Sequence, residues 1–239
     1  MGRQVDNPFK TLMFTKEYYE YYALELLKAH NNCRYADLAH IGGNKSPDLQ
    51  THALSIGVEV TCAFKRILLK LDSYSAEYQG AQLQDIPQNV INTMLKAGRV
   101  FGYTNGRTDV CYHNIDEEIT DEEQVSLGIE AIRTKMLKLN TAQSYSDCSE
   151  YELFIILHKY LSRNAVERIY IAIGDIYQGY SKQFTRIYIL SGDYLYVCEE
   201  HFFFPYYIGE FANLCRSRAY TESGMEEKSS ALLKQQGHI

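Results

Sequence analysis

Apolar and polar positions alternate most clearly in residues 55–64, SIGVEVTCAF. Ile56, Val58, Val60, Cys62 and Phe64 fall on one side, and Gly57, Glu59, Thr61 and Ala63 on the other. That period of two predicts a strand with a carboxylate at its centre. A period near 3.6 governs residues 15–30, where Thr15 can cap a helix whose stripe runs through Tyr21, Ala23, Leu24 and Leu27. It returns over 121–139, with Val125, Ile129, Ile132 and Met136 on one face and Thr120 and Glu123 spaced as a capping box. Arg133, Lys135 and Lys138 sit near the carboxyl end of that helix, where cations suit its dipole. Residues 151–158, YELFIILH, form an apolar run short enough for a buried strand, with a helix as the alternative. Val166, Ile169, Tyr170, Ile173, Tyr177 and Tyr180 then fit a helix, and 185–190 with 194–198 read as a hairpin around the turn SGD.

Between these elements, RYADLAHI (34–41) is a short strand-like piece, followed by the turn signal Gly42-Gly43-Asn44. Residues 73–114 are the least regular part, with a helix over 88–98, and read as an insertion. Residues 222–239 read as a frayed tail. The expectation is one domain over 1–239 with a mixed α/β fold, a sheet carrying helices on its faces.

Composition narrows the function classes. A formal charge of −6 argues against a protein that coats nucleic acid non-specifically, while leaving room for a local basic groove. No apolar stretch reaches the roughly 20 residues that span a bilayer, and the first residues carry no secretory h-region, so a cytoplasmic location without membrane contact is expected. The six cysteines, at 33, 62, 111, 148, 198 and 215, form no CxxC pair and read as reduced, mostly structural thiols. The abundant Tyr and Phe read as packing. No P-loop, GxSxG element or paired-cysteine zinc motif is present.

The candidate chemistry lies in Pro47-Asp48 and Glu59. A carboxylate in the middle of an apolar strand needs a use, because an unpaired buried charge costs several kcal/mol or more. Brought together, Asp48 and Glu59 would make a hard oxygen site for a divalent cation. The plainer alternative has Asp48 capping a turn and Glu59 facing solvent.

A PD dipeptide followed by a strand containing ExT resembles the PD-(D/E)xK nuclease superfamily. The late pattern, from KLN through FTRIYILSGDYLYVCE, is similar to the carboxyl half of small bacterial members, so the resemblance spans most of the chain outside the insertion. It implies a restriction-endonuclease-like mixed sheet flanked by helices and a bacterial or phage-related nuclease hydrolysing phosphodiester bonds in DNA. It also implies a Mg²⁺ or Mn²⁺ ion on Asp48, Glu59 and the backbone carbonyl of Val60, with Glu20 of the first helix as an added acid. Thr61 stands where the pattern has lysine, and Lys65 or Lys45 is expected to supply the cation. A homodimer or a protein partner is compatible with this class. The competing expectation is a catalytically silent member that binds nucleic acid or protein.

Overall fold

The computed structural model describes residues 15–42, 46–65, 74, 78, 83–96, 99–104, 107–112, 119–143 and 145–225. Two compact units divide the chain. The larger comprises Thr15–Phe64 and Ile119–Met225, and the smaller has its described part between Lys65 and Glu118.

The larger unit begins with helices α1 (Lys16–His30) and α2 (Asn32–Tyr35) and strands β1 (Leu38–His40), β2 (Leu49–Thr51) and β3 (Ile56–Ala63). The described part of the smaller unit holds a 3₁₀ turn (Leu83–Asp85), helix α3 (Gln88–Lys96) and the antiparallel hairpin β4 (Arg99–Thr104) and β5 (Arg107–Tyr112). In it α3 lies against β4, and Ile86, Val90 and Met94 are buried. The region expected to be an insertion falls inside this unit. The larger unit resumes with α4 (Asp121–Thr141), β6 (Glu150–Leu157), α5 (Arg163–Tyr177), β7 (Arg186–Ser191), β8 (Tyr194–Glu199), β9 (Phe202–Tyr207) and α6 (Gly209–Glu222). Residues 226–239, most of the tail expected to fray, lie outside the described residues.

Seven strands form one mixed sheet in the order β1-β2-β3-β6-β7-β8-β9. The meander β1-β2-β3 is antiparallel, β3, β6 and β7 run parallel, and β8 and β9 return antiparallel. A parallel neighbour requires a crossover, and α5 carries the one from β6 to β7. The central strand β6 is buried along almost its whole length, as expected where both faces are covered.

One face buries Leu153, Ile155, Leu157, Ile187 and Ile189 against Val125, Ile132, Met136 and Leu139 of α4 and Val166, Ile169 and Ile173 of α5. Paired residues share a face, so Glu59, opposite Leu153, points to the α4 side. The other face carries Val58, Val60, Glu152 and Tyr188, reached by α1 and α2, and α1 packs along α6.

Several expectations shift. Arg34 and Tyr35 belong to α2, which Asn31 caps, so the strand-like piece shrinks to β1. On α1 the buried residues include Tyr18, Tyr22 and Leu26 but not Tyr21, because the helix packs on both the sheet and α6 and buries a wider arc than one stripe. Strand β9 (FFFPYY) lacks alternation and contains Pro205, which an edge strand tolerates. The SGD turn places Gly192 at φ +59°, a conformation that costs a glycine little.

A candidate active site at the free edge of β3

The site arises where β2 stops and β3 continues. β2 pairs Leu49 with Val58 and Gln50 with Gly57. One step further along this register Asp48 comes level with Glu59. Among the described residues no strand continues there; instead Asp48 Oδ2 accepts the Val60 N–H at 2.8 Å. The aspartate carboxylate thus takes the place of a neighbouring strand in the plane of the sheet. A strand residue sends its N–H and C=O to the same side, so the Val60 carbonyl faces this edge as well.

The approach to Asp48 is fixed locally. The Ser46-Pro47 bond is cis. Gln50 Nε2 donates to the Pro47 carbonyl and to Ser146 Oγ, both at 3.1 Å, so this residue holds the turn in place. Ser146 N–H donates to Ser46 O at 2.8 Å and seats Tyr145 beside the turn. Gly57 completes the arrangement, since a methyl group there would run into Pro47 and Cys148.

From the α4 side comes Glu59, fully buried. Its Oε1 accepts Lys135 Nζ at 2.5 Å and Lys138 Nζ at 2.7 Å, and its Oε2 accepts the Tyr145 hydroxyl at 2.7 Å. The solvent-facing alternative for Glu59 is therefore excluded. Burial, then the charges of Glu59 and Asp48, push the Tyr145 phenol far above its ordinary range, so it stays protonated as a donor.

From the α1 side come Lys16, Glu20 and, from β1, His40. Lys16 Nζ lies 2.5 Å from Glu20 Oε1 and 2.8 Å from Asp48 Oδ1. Glu20 Oε2 is 2.6 Å from His40 Nε2, and Tyr21 packs on the His40 ring. Burial would lower the Lys16 pKa, but Asp48 and Glu20 outweigh it and hold the ammonium charged. Cys62, also on β3, is no nucleophile: burial pushes its thiol up to about 12, with Lys135 opposing and Glu20 reinforcing the shift.

No family model, curated protein or solved structure matches this chain.

The sequence-predicted residues fare unequally. Asp48 bonds the Val60 N–H and lies level in register with Glu59, whose side chain turns to the α4 side, and Glu20 joins Asp48 through Lys16. Thr61 is partly buried two residues beyond Glu59, Lys65 is half-buried just past β3, and Lys45 lies outside the described residues. The cations on Glu59 are Lys135 and Lys138. Among the described residues, no three His, Cys, Asp or Glu side chains gather as a metal site. Cys198 and His201, three positions apart, are a buried thiol and an exposed ring.

Lys16, His40 and Tyr145 carry no sequence signal of a site, and the positions of Lys135 and Lys138 near a helix end suggest only cations suited to a helix dipole. A further signal exists for Lys135. Gly128, Ile132, Lys135 and Leu139 follow 4-3-4 spacing, which puts a lysine on the buried stripe of α4, where it needs an anion.

A second buried carboxylate, Glu152 on β6, lies on the opposite face. Arg34 donates to Glu152 Oε1 through Nε at 3.1 Å and Nη2 at 2.6 Å, and the Tyr35 hydroxyl donates to Oε2 at 2.7 Å. Burial raises the Glu152 pKa, with Arg34, Tyr35 and Arg186 opposing. Arg34 also reaches Glu150, and Arg186 reaches Glu199, so the cluster is internally satisfied and ties α2 to the sheet.

Proposed function

We propose that the chain is a Mg²⁺- or Mn²⁺-dependent nuclease of restriction-endonuclease-like fold that hydrolyses phosphodiester bonds in DNA. The observation that carries this reading is Asp48, level in register with Glu59 and bonded to the Val60 N–H at an interrupted sheet edge, with two lysines beside Glu59 although the strand itself offers only Thr61.

The donor set fits a hard divalent ion at Asp48 and Glu20, whose oxygens already converge on one positive centre, with the Val60 carbonyl on the same edge. Glu59 fits less directly, since both its oxygens are occupied. A bound ion would polarise water and neutralise phosphate charge. The chain's own residues supply the rest. Lys135 and Lys138 carry two positive charges against one on Glu59, which leaves net positive charge to attract a phosphate. Tyr145 fixes Glu59 Oε2 and so orients the carboxylate between the lysines.

A second reading, a silent module that binds nucleic acid or protein, is favoured by one observation: every acid of the site already has an internal cation. Incubation of the purified protein with supercoiled plasmid and Mg²⁺ or Mn²⁺ separates the two. Nicking is expected, abolished by Asp48→Ala and lowered by Lys135→Met by about 10²-fold or more, the usual loss for one group stabilising transition-state charge. Arg168→Ala, which breaks an exposed pair with Glu122, should leave it unchanged. Absence of cleavage with either metal points to the silent module.

A further inference from the structure

Lys16 is an unusual residue for its place. It is the first residue of α1, directly after the cap Thr15, where the helix dipole disfavours a cation and favours acids. Its pairing with Glu20 runs Lys to Glu at i,i+4, the weaker of the two orders. Helix stability therefore does not explain it.

The partners are unequal in exposure. The Lys16 side chain is 68% exposed, whereas those of Glu20 and Asp48 are 6% and 3% exposed. An exposed, flexible stem delivers its ammonium to two buried carboxylates from outside. Glu20 Oε1 is buried and has the Lys16 ammonium 2.5 Å away as its partner. One oxygen of each acid therefore faces a single, largely exposed cation.

We infer that Lys16 is an internal counter-ion seated in the divalent-cation site, and that a metal ion enters between Glu20 and Asp48 only as the Lys16 ammonium swings out to solvent. The inference rests on the metal-dependent reading above and adds a competitor to it. Charge supports the exchange: two carboxylates match one dication, whereas they now share one monovalent ammonium. With Lys16 removed, the ion no longer displaces a bound cation, so its affinity rises while the metal-free protein loses a partner for two buried acids.

Titration with Mn²⁺, followed by electron paramagnetic resonance of the free ion and by thermal unfolding, tests this. Lys16→Met and Lys16→Gln should each bind Mn²⁺ at least about tenfold more tightly than the wild type, equivalent to about 1.4 kcal/mol. Both should unfold at lower temperature without metal and gain more on adding it. Asp48→Asn in the Lys16→Met background should cancel the gain. Equal affinity in wild type and both variants, with binding still sensitive to Asp48→Asn, overturns the counter-ion role and leaves the cation site standing. No binding by any of the three overturns the site itself and the metal-dependent reading with it.

Discussion

Glu59→Ala is expected to lower unfolding stability by about 3–5 kcal/mol, the usual cost of removing one partner from a buried ion pair. The wild-type carboxylate holds Lys135 and Lys138, whose side chains are 16% and 37% exposed. Its loss leaves two ammoniums facing each other over an empty space. Lys135 carries most of the penalty, because Lys138 can turn to solvent and its share is screened. Tyr145 also loses its acceptor. Urea unfolding of the variant measures the cost, and Lys135→Met combined with Glu59→Ala should recover part of it, since the pair is coupled. A change within about 0.5 kcal/mol, the range of surface substitutions, would mean that Glu59 is not held as described.

Glu152→Ala is expected to cost a similar amount, again about 3–5 kcal/mol, through a separate network. It would strip Arg34 of its two bonds to Glu152 Oε1 and Tyr35 of its acceptor, loosening α2 from the centre of the sheet. The two sites differ in one testable respect. The partners of Glu152 are Arg34, Tyr35 and Arg186, none of which holds Asp48, Glu20 or Glu59, so Glu152→Gln, which keeps the shape, should leave metal-dependent cleavage near the wild-type rate even where stability falls. Urea unfolding and plasmid nicking on the same preparation check both halves.

The framework was legible because its signals are local. Residues 55–64 alternate and form β3, residues 15–30 repeat every 3.6 residues and form α1, and Thr120 caps α4 by accepting the Glu123 N–H. Asp48 and Glu59 were likewise legible, one after a proline and the other in an apolar strand. What the sequence hid depends on distance along the chain. Lys135 reaches Glu59 across 76 positions and Tyr145 reaches it across 86, and no local period encodes such pairings. Lys16 carries no local signal either, because its partner Asp48 stands 32 positions away. Lys65, near the strand in sequence, drew attention that belonged to α4. β9 went unseen for a different reason: on an edge, with aromatic residues on both faces and Pro205 inside, it shows neither alternation nor an apolar run bounded by turns.

The proposed nuclease requires Asp48 and Glu59 to serve one site. Plasmid cleavage with Mn²⁺ by Asp48→Asn, Glu59→Gln and the double variant tests it directly, because groups that act as a unit are strongly non-additive. Each single change should remove nearly all cleavage, and the double should be no slower than the worse single. Losses that multiply, or a Glu59→Gln protein that cleaves as fast as the wild type while Asp48→Asn does not, would contradict it.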